Sequence, residues 1–177
     1  MAVIEAIATT YLEADVVTVT MSGIPGTYEH LQLRISARST RTSSAGWVRL
    51  GPNGDTSTGN KSHHRMQGSA STASAVADAS TSSLIFYHMP SDYDADAGTY
   101  GGMVIDILDY ANTNKNTTIS VINWDGGDST STADYLHFGS GLWDSTTSTI
   151  FSGNRCKKTT LAFAIYASVW PGLATRA

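Results

Sequence analysis

The clearest pattern in the chain is a strict alternation of apolar and polar residues over 31–38. Leu31, Leu33 and Ile35 alternate with polar residues such as Arg34. Successive side chains of a β-strand point to opposite faces of the sheet, so a period of two predicts a strand with one buried and one solvated face.

Similar short runs recur along the chain, separated by Gly, Pro, Asn, Asp and Ser. They lie at 4–12, 16–21, 47–50, 63–67, 84–88, 103–110, 117–124, 135–138, 149–151 and 160–167. Short strands at this spacing are typical of sandwiches and jelly rolls, and the alternation of strands with helices that marks doubly wound α/β folds is missing. We therefore predict an all-β, antiparallel, jelly-roll-like β-sandwich of about ten short strands with little or no helix.

The connecting segments carry further expectations. A tight turn at 13–15 would join the runs at 4–12 and 16–21 as partners. The Ala/Ser-rich segment 68–83 has few large apolar side chains that could pack against a core, which favours a mobile surface loop. Gly and Ser at 139–141 indicate a turn.

A chain of 177 residues fits one domain, which we place at residues 1–168. The segment 169–177 lies beyond the expected last strand and contains Val169, Trp170 and Leu173. These three residues either fold back onto their own sandwich or reach a neighbouring subunit, and they are the candidate interface residues.

Composition narrows the possible partners. The net charge is −4, and only 15% of the residues are charged, against about 25% in typical domains. We therefore expect no nucleic acid as a partner. Arg34, Arg38 and Arg41 cluster in sequence, but the solvated face of a strand explains Arg34 and Arg38 as well as an anion site does.

The chain also lacks the marks of a membrane or secreted protein. No apolar stretch reaches the ~18 residues that a membrane span needs. The first residues lack a basic segment and include Glu5, so we expect no signal peptide and synthesis in the cytoplasm. The single cysteine, Cys156, is expected to be a buried structural thiol.

Two segments suggest metal binding but match no known site. Asp92, Asp94 and Asp96 resemble the opening of a calcium loop, although Ala97 and Met103 stand where the EF-hand pattern needs Gly and Glu. A solvated loop is the simpler interpretation. His63 and His64 are adjacent, and on a strand they would point to opposite faces and could not share one ion.

No pattern of a catalytic site is present in the sequence. The motif G-x-S-x-G is absent. Glycoside hydrolysis needs two carboxylates across a cleft, yet we expect Asp106 and Asp109 on opposite faces of one strand, and Asp125 and Asp128 in a loop. We expect no catalytic residue, metal or cofactor.

The tryptophans leave one binding function open. Trp47, Trp124, Trp143 and Trp170 could form a platform on which sugar rings stack. Core packing explains them equally well.

Several stretches together resemble a family of small all-β virion proteins of tailed bacteriophages. They are residues 7–10, 24–39, Asn53-Gly54-Asp55-Thr56, 105–113 and 141–146. The likeness extends to Ala167 and defines no catalytic residue. This chain departs from the family at Gly51-Pro52, where we expect a strand to end early, and in its additional tail.

The resemblance implies a non-enzymatic virion protein. The expected role is that of a capsid decoration, or cement, protein on the outer capsid surface, bound to the major capsid protein and self-associated as a homotrimer. In a cyclic trimer, each copy would use the same small surface to contact the shell. The alternative is a tail-fibre or adsorption module that binds host glycans.

Overall fold

A computed structural model describes residues 3–14, 16–42, 46–69, 71–79, 81–91, 95–125, 135–145, 151–156 and 162–169. These residues form twelve β-strands and no helix. In chain order the strands are β1 (Val3–Tyr11), β2 (Val16–Met21), β3 (His30–Ala37), β4 (Gly46–Pro52), β5 (Lys61–Ser69), β6 (Thr72–Asp78), β7 (Leu84–Met89), β8 (Gly101–Leu108), β9 (Thr117–Trp124), β10 (Tyr135–Trp143), β11 (Phe151–Cys156) and β12 (Ala162–Val169).

The strands form two antiparallel sheets. The larger has eight strands in the order β1-β12-β3-β8-β9-β10-β5-β6, and the smaller has four in the order β2-β11-β4-β7. The chain crosses repeatedly between the sheets, because β2, β4, β7 and β11 each lie between strands of the larger sheet in sequence. This alternation is the connectivity of a jelly roll and confirms the predicted all-β sandwich.

Apolar side chains at every second strand position fill the space between the sheets. In the larger sheet Ile105, at the centre of β8, is fully buried, and in the smaller sheet Leu50 of β4 is 1% exposed. Burying such a side chain contributes roughly 1.5–3 kcal/mol relative to leaving it in water. The other apolar core residues on β3, β4, β7, β8 and β9 are Leu31, Leu33, Ile35, Ala37, Val48, Leu84, Phe86, Met89, Met103, Ile107, Ile119 and Val121.

The first two strands are not partners, contrary to the prediction from 13–15. Val3 of β1 pairs with Val169 of β12 in the larger sheet. Met21 of β2 pairs with Phe151 of β11 in the smaller one. The chain therefore passes from one sheet to the other between β1 and β2, as jelly-roll connections do.

The Ala/Ser-rich segment is not a loop, so that prediction was wrong. It contains the end of β5 and all of β6, which pair without interruption from His63 with Asp78 to Ser69 with Thr72. The hydrogen-bonded ladder with β5 supplies the stability that the small side chains cannot.

Two other strands run further than predicted. Gly139, Ser140 and Gly141 lie inside β10, which pairs with β9 and β5 on its two sides. Strand β4 continues through Pro52, which lies opposite Phe151 of β11. Both segments stay extended because neighbouring strands engage them, although Gly and Pro favour turns in isolation.

Candidate interaction surface

The outward face of the eight-stranded sheet carries apolar side chains in register across five strands. Pairing places Val104 of β8 beside Ile122 of β9, and Ile122 beside Phe138 of β10. Phe138 lies beside Met66 of β5, and Met66 beside Ala75 of β6. Neighbouring strands are about 4.8 Å apart, so this row crosses about 20 Å of sheet.

A second apolar row runs beside the first, two residues further along each strand. It consists, in register, of Gly102, Trp124, Leu136, Gly68 and Ala73. We call the two rows together the apolar face. No charged residue belongs to either row.

Much of the apolar face is open to water. The exposed fractions are 64% for Met66, 50% for Phe138, 45% for Trp124 and 44% for Leu136. Between β10 and β6 the surface forms a groove of about 500 Å³ lined by Met66, Gln67, Gly68, Ala73, Ser74, Ala75, Leu136 and Phe138. Contiguous exposed apolar surface of this kind marks sites where proteins bind other macromolecules or apolar ligands.

A polar row limits the apolar face on one side. Asp106, Ser120, Ser140 and His64 lie in register across β8, β9, β10 and β5. The hydroxyl of Ser140 is 2.9 Å from Nε2 of His64, and Nε2 of Gln32 donates to Oδ1 of Asp106 at 2.8 Å. An apolar centre with a polar rim is the usual anatomy of a protein interface.

The tryptophans occupy three different environments. Trp143 is 1% exposed in the core. Trp47 is half-buried, with the guanidinium of Arg41 3.6 Å from its ring centroid. Trp124 is the member that belongs to the apolar face, and Trp170 lies outside the described residues.

Nothing in the described groove resembles a sugar site. Its lining contains no Asp, Asn, Trp or Tyr, whereas sugar and other small-ligand sites combine aromatic rings with a few placed polar groups. The lining is mostly Met, Leu, Phe and Ala, with Gln67 and Ser74 as its polar side chains, and suits an apolar protein surface better.

The candidate interface residues of the tail are only partly described. Val169 is the last residue of β12 and lies opposite Val3. Trp170 and Leu173 fall outside the described residues, so their role stays a prediction. Cys156 is the last residue of β11.

The arginine cluster is split, which corrects its assignment to one solvated face. Arg38 lies just beyond β3 and is 6% exposed. Its guanidinium donates to the carbonyls of Ala95, Asp96 and Thr99 at 2.8, 2.6 and 3.2 Å. Arg38 therefore fixes the end of the acidic loop, and its positive charge there disfavours a calcium ion.

The acids that were considered for glycoside hydrolysis have separate partners. Asp109 lies in the turn after β8 at φ 52°, and its Oδ2 is 2.5 Å from Nζ of Lys115. Oδ1 of Asp125 accepts a hydrogen bond of 2.5 Å from the backbone N–H of Tyr135. Asp128 and residues 92–94 lie outside the described residues.

One cluster of donor groups was not predicted from the sequence. Single donor atoms of Glu29, His30 and Asp109 lie within 4.8 Å of one another. Nδ1 of His30 already accepts the backbone N–H of Asp109 at 3.0 Å, and Lys115 pairs with the Asp109 carboxylate. These bonds tie the β8–β9 turn to the start of β3, so the cluster serves the scaffold.

The adjacent histidines have separate roles, as expected for a strand. His63 faces inward and is 3% exposed, whereas His64 faces outward. Burial lowers the pKa of His63, although the Asp78 carboxylate at 3.4 Å opposes the shift.

The segments around Pro25, Asp55 and Tyr110 build the scaffold. The hydroxyl of Tyr110 donates to the carbonyl of Pro25, which fastens the 24–28 segment to the end of β8. Asp55 accepts a hydrogen bond from the indole of Trp143. These residues hold loops in place and leave the apolar face free.

Comparison with protein-family models found no match, and a search of curated proteins found no relative of this chain. Within the described ranges, no helix has the length and hydrophobicity that a membrane span requires. The function therefore has to be argued from the site.

Proposed function

We propose that the protein is a non-enzymatic structural protein of a tailed-phage virion, and specifically a capsid decoration protein. In this role it binds the shell of the major capsid protein from outside and stabilises it. The proposal includes self-association as a homotrimer and assigns no catalytic, metal or cofactor site.

The observation that carries the proposal is the apolar face. Its four large exposed side chains, Met66, Phe138, Trp124 and Leu136, come from three adjacent strands of one sheet. A preformed sheet loses little conformational entropy on binding, so more of the contact energy appears as affinity. Many copies on one shell add multivalency if they also contact each other.

The distribution of charge supports the same role. The apolar face is uncharged and the Arg38 guanidinium is occupied by loop carbonyls. The chain thus presents apolar surface and hydroxyl groups, which suits a contact between proteins better than recognition of a phosphate backbone.

A second candidate is a tail-fibre or adsorption module that binds host glycans. The observation in its favour is the 45% exposed indole of Trp124 on the surface of the sheet. A flat exposed indole can stack on a sugar ring, but the adjacent groove offers only Gln67 and Ser74 as polar side chains to orient the sugar.

The test is a binding assay with shells from a phage that encodes this chain, prepared without the protein. Phe138→Ser should weaken shell binding at least about tenfold, the loss typical of a central interface aromatic. Tyr11→Ser is the matched control, because Tyr11 is an aromatic residue 70% exposed on β1, far from the apolar face.

Two results would contradict the proposal. One is full shell occupancy by the Phe138→Ser protein, and the other is no binding of the unaltered protein to shells. If a glycan array instead retains the unaltered protein and loses the Trp124→Ala protein, the adsorption module is the better assignment.

A further inference from the structure

Within the part of the chain that the structure describes, the edge of the eight-stranded sheet at β6 has room for a further strand. Among the described strands, β6 has β5 as its single neighbour. In an antiparallel ladder alternate residues direct their N–H and C=O groups to opposite sides. Half of the backbone polar groups of β6 therefore point away from β5, along the open edge.

Strand β6 lacks the features with which proteins protect sheet edges. Natural edges carry Lys, Pro, inward charges or bulges that prevent pairing with another chain. The sequence of β6, Thr-Ala-Ser-Ala-Val-Ala-Asp, has a single charge at its end, and its pairing with β5 shows no register shift. The opposite edge, β1, does carry such features, namely the exposed Glu5 and a shift between Ala6 and Ala8.

The first half of β6 also projects beyond the core. Thr72, Ala73, Ser74 and Ala75 are all exposed, although they point alternately to the two faces of the sheet. The smaller sheet therefore does not cover this part of the β5–β6 hairpin, and a neighbouring strand could approach it without a clash.

We propose that β6 pairs with β6 of a second copy of this chain. The two strands run antiparallel about a twofold axis through Ala75. This register uses every residue of Thr72–Asp78, so that Ala75 faces Ala75 of the other copy and Thr72 faces Asp78 of the other copy. The inference goes beyond shell binding and holds whether or not the protein belongs to a capsid.

Charge favours the second copy as the partner. Asp78 is the one charged residue of β6, and in this register it faces an uncharged Thr72. Two Asp78 residues are six positions apart, about 20 Å along the strands. Two chains that each carry a net charge of −4 can therefore meet here without a like-charge pair in contact.

The apolar face excludes half of the other registers. Opposed residues of an antiparallel pair point to the same side of the sheet, so placing Ala75 opposite Ala75 keeps the apolar faces of both copies on one side. A register shifted by one residue would set Ser74 opposite Ala75 and turn one apolar face over. In the proposed dimer the row from Val104 to Ala75 continues into the same row of the second copy.

The twofold contact is distinct from the proposed trimer. An isologous strand pair closes after two copies, whereas a ring of three needs head-to-tail contacts through other surfaces. The two kinds of contact together would give particles with an even number of chains.

The first test is disulfide crosslinking in a Cys156→Ser background, which removes the single native cysteine. Ala75→Cys places the two cysteines opposite each other with their Cα atoms about 4.5–5.5 Å apart, within the Cα separation that a disulfide spans. It should give a covalent dimer under mild oxidation. Ala73→Cys is the matched control, since its two copies would be four positions, or about 13 Å, apart.

The second test measures mass by light scattering. The unaltered protein should contain an even number of 18.8 kDa chains. Ala75→Lys should halve that number, because it places two ammonium groups opposite each other. Val17→Lys, at an exposed position on the β2 edge of the other sheet, should change nothing.

Any of three outcomes would overturn the twofold pairing. They are equal crosslinking at Ala73 and Ala75, a monomer or a simple trimer at working concentration, and an assembly that persists in the Ala75→Lys protein. None of them bears on the Phe138→Ser shell assay, so the two proposals fail separately.

Discussion

The indole Nε1–H of Trp143 donates a hydrogen bond of 2.9 Å to Oδ2 of Asp55, although the two residues are 88 positions apart. The same carboxylate accepts Nδ2 of Asn60 at 2.7 Å and lies 3.0 Å from Nζ of Lys61. Its Oδ1 accepts the backbone N–H of Ser57 at 2.8 Å. The loop after β4 is thus fastened to the end of β10.

These donors make Asp55 a strong anion. The backbone hydrogen bond from Ser57, followed by those from Trp143 and Asn60, holds the pKa of the Asp55 carboxyl well below its usual range. The stabilisation is present above the unfolded pKa of 3.8 and is lost as the pH falls below it.

We expect Asp55→Ala to lower the free energy of unfolding by about 1–3 kcal/mol, the usual cost of leaving a buried polar group without one of its partners. The side chain of Lys61 is fully buried, and its ammonium would keep only neutral partners, the carbonyl of Ser57 and Oδ1 of Asn60. Urea denaturation measures the effect. Asp144→Ala, an exposed acid beside Trp143, is the control, and equal stability of the two variants would contradict this role of Asp55.

The stability of the sandwich should fall in mild acid because of His137. Its ring is 1% exposed and stacks 4.7 Å from the ring of His88 in the opposite sheet. Burial, with smaller contributions from the charges of His88 and Arg65, lowers the pKa of His137 to about 4.

The direction of the effect follows from linkage. Above pH 6.5 His137 is neutral in both states, and between pH 6.5 and 4 only the unfolded chain takes up the proton. The difference between the pKa values of His137 in the unfolded and folded states corresponds to about 3 kcal/mol of folding free energy. His137→Phe keeps the aromatic ring and should remove this part of the pH dependence in urea titrations at several pH values. If the unfolding free energy of the variant fell equally steeply with decreasing pH, groups other than His137 would cause the dependence.

Trp124 should lose its position if Gly102 acquires a side chain. A Cβ at Gly102 would lie 2.2 Å from Cζ2 of the indole, much closer than atoms can approach. Gly102→Ala should therefore displace the indole from the sheet and increase the quenching of tryptophan fluorescence by acrylamide. The difference should vanish in a Trp124→Phe background, and its persistence there would assign the change to another tryptophan.

The C-terminal tail should contribute to assembly and little to the fold. Deleting residues 170–177 keeps β12 intact as far as Val169, which pairs with Val3. We expect an unchanged unfolding midpoint but weaker occupancy on phage shells or weaker trimerisation. The full chain is the reference, and unchanged occupancy would exclude Trp170 and Leu173 as docking residues.

The sequence alone determined the class of fold and most of its strands. The alternation around Leu33 and the apolar run around Ile105 were sufficient, because the side chains of a strand alternate between core and solvent whatever its neighbours are. It also excluded a match to the common catalytic and metal motifs, since those depend on local spacing.

Tertiary structure decided what the sequence left ambiguous. Strand β6 was missed because its small side chains do not favour a strand by themselves. The hydrogen bonds of the ladder with β5 hold the segment extended. The apolar face was missed because Phe138, Met66 and Ile122 come from different strands. The apolar pattern and the turns fix the register of two strands once they are neighbours, but closure of the core decides which strands become neighbours. The same reason separates Trp143 in the core from Trp124 on the surface, although both stand in similar strand sequences.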